Sequence, residues 1–159
     1  KAFGMRVVGY DPMVDAATVA KMGVEGLDFD ELLKSSHFIT LHVPRTKETT
    51  NMIGAAQFSM MRDDAILINA ARGGLVDEKA LLAALDDGQL AGAGLDVYVD
   101  EPKPPAELVA HDKIVATPHL GASTYEAQVK VATFVAGYLA DFLLRGKVQS
   151  AVNKPNIGA

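Results

Sequence analysis

Five short apolar runs, each closed by turn-forming residues, constrain this chain more than any other feature. They lie at residues 5–10 (MRVVGY), 37–43 (HFITLHV), 65–69 (AILIN), 93–95 (AGL) and 113–117 (KIVAT). Each is too short for a helix and lacks strict polar alternation, which is how strands buried in a parallel sheet read. The segments between them carry helical spacing and helix-stop glycines, so strands and helices alternate. The expected fold is α/β, a three-layer parallel sheet covered by helices on both faces. In such sheets ligands sit beyond the carboxyl ends of the strands. Asp11, Pro44, Arg72, Asp96 and His119 all fall at those ends.

The connecting segments support this reading. Residues 15–22 form a short helix stopped by Gly23, and residues 24–25 a further short strand. Residues 28–35 form the next helix, where Asp28 and Glu31 fit a capping box. Residues 54–61 and 77–87 follow as helices, the second capped by Asp77 and stopped by Gly88. A second capping box, Ser123 with Glu126, opens the longest helix, which ends near Arg145 and Gly146. Its Ala127, Val131, Val135, Leu139 and Phe142 form one apolar stripe. Residues 1–146 therefore read as one domain with its ligand site at the strand exits, and residues 147–159 as an extended exit segment.

Composition removes several function classes. The 159 residues carry a net charge of −5 and no basic cluster with aromatics, which argues against nucleic acid as a partner. With no cysteine, disulfides and thiol catalysis are excluded. His37, His42, His111 and His119 lack metal-ligand spacing, so no metal is expected. No apolar run reaches the roughly 18 residues that span a bilayer, and no secretory leader opens the chain. The expected location is the cytoplasm, with no membrane partner.

Several residues carry chemistry, each with an ordinary alternative. Asp11 can accept both hydroxyls of an adenosine ribose and would repel a 2′-phosphate, favouring NAD over NADP, or it simply opens a turn before Pro12. Arg72, ahead of Gly73 and Gly74, can hold a carboxylate in two hydrogen bonds, or is a surface arginine in a turn. Glu101 can orient and charge-stabilise the imidazole of His119, whose other nitrogen then moves a proton. Singly, the two read as a solvated acid and a packed histidine. Asp96 can bond a carboxamide or merely end a strand. His42 and Pro44 can wall an adenine pocket or merely pack.

The combined blocks are specific. Tyr10-Asp-Pro12, His42-Val-Pro44, Asn69-Ala-Ala-Arg-Gly-Gly-Leu-Val-Asp77, Gly94-Leu-Asp-Val97, Asp100-Glu-Pro102 and Thr117-Pro-His-Leu-Gly-Ala-Ser-Thr124 resemble the cofactor-binding domain of NAD-dependent D-2-hydroxyacid dehydrogenases. Glu126-Ala-Gln128 and Ala151-Val-Asn153 extend the match over nearly the whole chain. The resemblance implies Arg72 as carboxylate anchor, His119 as general acid/base and Glu101 as the group that raises its pKa. It implies NAD along Asp11, Pro12, His42, Val43, Pro44, Ala70, Ala71, Arg72, Asp96, His119, Gly121 and Ala122. The implied partner is a small 2-hydroxy or 2-oxo acid, and the implied assembly a homo-oligomer. An inactive folded fragment with only binding or assembly capacity, and an NAD-sensing co-repressor of the same fold, are the other readings.

The chain departs from that family in one respect: nothing reads G-x-G-x-x-G. The expected fold is thus Rossmann-like but without the first strand and Gly-rich loop. A buried vacant lane would leave backbone groups unpaired, so the strands at 5–10 and 37–43 are expected to pair directly. That would give a flavodoxin-like order, 2-1-3-4-5.

Overall fold

A computed structural model describes residues 1–121 and 123–153. The chain divides into two compact units, Lys1–Pro118 and His119–Ala159. All the strands lie in the first and the longest helix in the second.

The first unit opens with β1 (Val8–Gly9), α1 (Ala16–Lys21), β2 (Glu25–Gly26) and α2 (Phe29–Ser35). It continues with β3 (Phe38–Leu41), α3 (Ala55–Phe58), β4 (Ile66–Asn69) and α4 (Glu78–Asp86). β5 (Gly92–Leu95), α5 (Ala106–Val109) and β6 (Ile114–Ala116) complete it. Every strand pairing is parallel, as the apolar runs require. Asp15 caps α1 by accepting from Thr18 N, and Asp77 caps α4 by accepting from Lys79 N and Ala80 N. Asp28 stands at the cap position of α2 but makes no side-chain cap bond, so the expected capping box is absent there.

The strand order differs from the expected closed sheet. β3-β4-β5-β6 form one four-stranded sheet, while β1 and β2 form a separate two-stranded one. β1 does not pair with β3, and the flavodoxin-like order is not adopted. The expectation assumed that unpaired edges would be buried. At their starts they are not: Met5, ahead of β1, is 51% exposed and Phe38, opening β3, 59%, where water can reach the backbone, although Ile39 and Leu41 are buried. Two side-chain contacts hold the small sheet instead. Arg6 clasps both carboxylate oxygens of Glu25, and the ring of Tyr10 rests on that of Phe29 at 5.4 Å.

Burial alternates along β3 and β4: Ile39, Leu41, Leu67 and Asn69 are buried, while their neighbours are less so. The buried side chains meet Leu33 of α2, Phe58 of α3, Leu81 and Leu85 of α4 and Leu108 of α5 in one core. Fully burying side chains of this size contributes about 1.5–3 kcal/mol each. Within this unit the alternate strand positions are less buried, with Val115 72% exposed.

The second unit is built on α6 (Tyr125–Arg145). Its cap is Thr124, which accepts from Ala127 N, one residue beyond the expected Ser123. Gly146 ends it in the left-handed conformation that glycine adopts at little cost. No residue of α6 is buried, so the apolar stripe through Val131, Val135 and Leu139 is exposed. By length and composition alone α6 is long and apolar enough to cross a membrane, which corrects the expectation that no such stretch exists.

Candidate active site on the strand exits

The four strands of the larger sheet end in register. Leu41 lies opposite Asn69, Asn69 opposite Leu95, and Leu95 opposite Ala116. The ladder runs one step further, through Asp96 N to Asn69 O at 3.0 Å and Thr117 N to Leu95 O at 2.9 Å. His42, Ala70, Asp96 and Thr117 therefore leave the sheet together along one edge.

Each exit has its own local cause. β4 stops because the buried side chain of Asn69 turns back on the chain that follows. Its Oδ1 accepts from Ala71 N at 3.1 Å and its Nδ2 donates to the carbonyl of Arg72 at 3.0 Å. Arg72 is exposed, and its Nη1 donates to Ala71 O at 2.6 Å. After β3, Thr49 Oγ1 donates to Pro44 O at 2.7 Å, and His42 Nε2 lies 3.0 Å from Thr40 Oγ1. The loops of β3 and β4 are tied by Asn51 N to Gly74 O at 2.8 Å. Gly74 has a φ of +78°, and the Arg45 guanidinium carbon lies only 2.8 Å from where a Cβ would stand.

The exits of β5 and β6 meet through side chains. Thr117 Oγ1 donates to Asp96 Oδ1 at 2.5 Å. Tyr98, only 5% exposed, directs its hydroxyl at Thr117 O (2.9 Å) and Leu95 O (3.1 Å). Burial raises its pKa, and the nearby Asp96, Glu101 and Glu78 push the same way. Tyr98 N donates to Glu101 Oε1 at 3.0 Å, and Val99 N to Glu78 Oε1 at 2.8 Å. The carbonyl of Tyr98 lies directly against Gly73, in the space that any side chain there would take. The loop bearing Arg72 and the turn bearing Glu101 are therefore packed together.

The sequence-derived candidates distribute unevenly. His42, Val43, Pro44, Ala70, Ala71, Arg72 and Asp96 share one sheet edge, and Glu101 is fixed beside Tyr98. Asp11 and Pro12 follow β1 on the separate small sheet. Asp11 is exposed, and its Oδ1 accepts from Met13 N at 2.8 Å, so one oxygen shapes its own turn. His119 opens the second unit with a φ of +57°, a left-handed conformation uncommon outside glycine, and its carbonyl accepts from Ser123 Oγ at 3.1 Å. Gly121 follows in an exposed turn; Ala122 lies outside the described residues. Sequence reasoning missed Asn69, Gly73 and Tyr98 as supports. A polar residue closing the otherwise apolar AILIN run was the available signal, because a buried amide needs partners.

Parallel strands whose exits present carboxylates and a guanidinium along one edge make the layout of a dinucleotide-binding domain. The family described as D-isomer specific 2-hydroxyacid dehydrogenase, NAD binding domain, matches residues 1–121, and the chain belongs to it. Its fold is the parallel α/β arrangement of that family's solved structures. Among them is the NAD-complexed D-isomer specific 2-hydroxyacid dehydrogenase of Lactobacillus delbrueckii ssp. bulgaricus, with a TM-score of 0.84 and 32% identity. That match covers 96% of this chain and 50% of the other.

Among curated relatives, the chain is 46% identical over 158 residues to a D-3-phosphoglycerate dehydrogenase of Methanocaldococcus jannaschii. It is 44% identical over 154 residues to a glyoxylate reductase of Thermococcus litoralis. These alignments cover 99% and 97% of the chain, but only 30% and 46% of the relatives. The chain thus spans less than half the length of these curated relatives.

Proposed function

We propose that this chain serves an NAD-dependent dehydrogenase that oxidises a D-2-hydroxy acid, with 3-phospho-D-glycerate converted to 3-phosphohydroxypyruvate. The observation that carries the reading is the common edge of Arg72 and Asp96, with Glu101 braced beside the Arg72 loop through Tyr98. The named phosphoglycerate dehydrogenases among its relatives favour that acid, a step of serine synthesis.

The residues present fit NAD. An exposed carboxylate at the end of β1, Asp11, suits a ribose diol, and Asp96 at the end of β5 suits a carboxamide. Pro12, His42, Val43, Pro44, Ala70, Ala71, Gly121 and Ala122 complete the proposed contacts. When bound, NAD would supply the acceptor for the hydride that leaves C2 of the acid. Arg72 binds the carboxylate and faces the charge that develops on the C2 oxygen. His119 takes the hydroxyl proton during oxidation and returns it during reduction, and Glu101 stabilises the imidazolium. The protein is a cytoplasmic homo-oligomer in this reading, acting on a small acid rather than on nucleic acid or a membrane.

The glyoxylate reductase similarity favours a second substrate reading with the same residues. Steady-state assays of the full-length protein decide between them. NAD reduction with 3-phosphoglycerate, abolished by His119→Ala, supports the first. Turnover only with glyoxylate and NADH supports the second. Absence of any dehydrogenase activity leaves a binding or assembly role. An NADH fluorescence titration of the 159-residue chain, with Asp11→Ala as control, tests cofactor contact separately.

A further inference from the structure

Tyr98 meets three groups of the strand-exit edge through different atoms. Its amide N–H holds Glu101, its carbonyl abuts Gly73, and its hydroxyl reaches Thr117 O. The chain continues from Thr117 through Pro118 to His119. We propose that Tyr98 is a positioning residue, whose hydroxyl fixes the exit of β6 leading to His119 while its backbone fixes Glu101 and the Arg72 loop.

The chemistry of the phenol fits this role. It has one proton to give and two carbonyl acceptors, Thr117 O at 2.9 Å and Leu95 O at 3.1 Å, so it bridges the last rungs of β5 and β6. The charged groups around it, Asp96, Glu101 and Glu78, are all acidic and together with burial keep the phenol protonated. A protonated donor between two carbonyls is a fixed strut rather than a titrating group. Phenylalanine would fill the same volume but release both carbonyls.

This role rests on the dehydrogenase reading, and the test separates the two. Tyr98→Phe in the full-length enzyme is compared with wild type and with Tyr138→Phe, a hydroxyl removed from α6. The expected result is a fall in kcat of roughly five- to tenfold, since catalytic geometry is steep in small displacements. The KM for NAD should stay within about twofold. In the 159-residue chain, amide exchange at Thr117, whose N–H donates to Leu95 O, should quicken in Tyr98→Phe and not in Tyr138→Phe. Unchanged kcat and unchanged Thr117 exchange, with only a lower melting temperature, would overturn the proposal. If wild type shows no dehydrogenase activity, the functional reading fails, and the Thr117 exchange still decides whether Tyr98 governs that exit.

Discussion

The side chain of Asn69 and the backbone of Arg72 are locked together: Nδ2 of the buried asparagine donates to the arginine carbonyl at 3.0 Å. Its Oδ1 also accepts from Ala71 N, so one amide defines the whole turn that presents the guanidinium. Asn69→Ala would leave two backbone groups without these partners, at a cost of about 2–3 kcal/mol. Urea unfolding should show that loss, and the KM for the 2-hydroxy acid should rise in parallel. A variant with wild-type stability and KM would show that the turn holds itself.

Gly73→Ala should be more disruptive than an added methyl usually is. The new Cβ would run into the carbonyl of Tyr98, a backbone atom that cannot swing aside. Overpacking of this kind costs about 1–3 kcal/mol, and here it would also part Arg72 from the Glu101 turn. Calorimetry should record a clear fall in melting temperature, with kcat reduced in the surviving folded protein. Gly88→Ala, where no atom lies near, makes the comparison. Gly88 has a positive φ, so that variant carries backbone strain without a clash.

Arg72→Lys tests whether the guanidinium works as a fork. Lysine keeps the charge but cannot offer two parallel N–H donors to one carboxylate. The KM for the acid should rise roughly tenfold to a hundredfold, while NADH binding to the enzyme alone weakens far less. An equal loss of NADH affinity would place Arg72 on the cofactor instead of the acid.

The small sheet should loosen in acid. Arg6 hydrogen-bonds both oxygens of Glu25, at 2.8 and 2.6 Å, and this holds the Glu25 carboxyl below the usual carboxylate range. A depressed folded-state pKa means the clasp is fully present above the ordinary glutamate value and is lost as pH falls through the lowered one. Amide exchange at Glu25 and Leu27, whose N–H groups pair with Val7 O and Gly9 O, reports on it. Protection, corrected for intrinsic rate, should begin to drop in wild type only below the ordinary glutamate range, at about pH 4. Glu25→Gln should be loose throughout and show no such step.

Much of this structure was legible in the sequence because parallel strands and caps leave local marks. The runs ending at Leu41, Asn69, Leu95 and Ala116 were placed within a residue or two, as were the stops at Gly23, Gly88 and Gly146. The failures were matters of context. Asp28 and Glu31 have capping-box spacing, but spacing alone does not close the bond. The strand read at 5–10 shrank to Val8–Gly9, because apolar side chains such as Met5 and Val7 are exposed rather than packed. The four-residue α5 has no periodicity to detect. Arg72 and Glu101 were visible as residue types, whereas Tyr98 was not. Its role depends on a hydroxyl reaching across 19 residues to Thr117.

The shared rung of Leu41, Asn69, Leu95 and Ala116 also limits how such a protein can change length. Deleting one residue inside β4 would draw the Arg72 loop back by about 3.3 Å and turn its strand inside out. The same residue removed from 87–91, where the chain enters β5, shortens a connection and leaves the edge intact. Insertions and deletions in natural variants should therefore gather where strands begin, while the distances counted from the rung to Arg72, Asp96 and His119 stay constant. Those counts act as a ruler that evolution can read but not easily rescale.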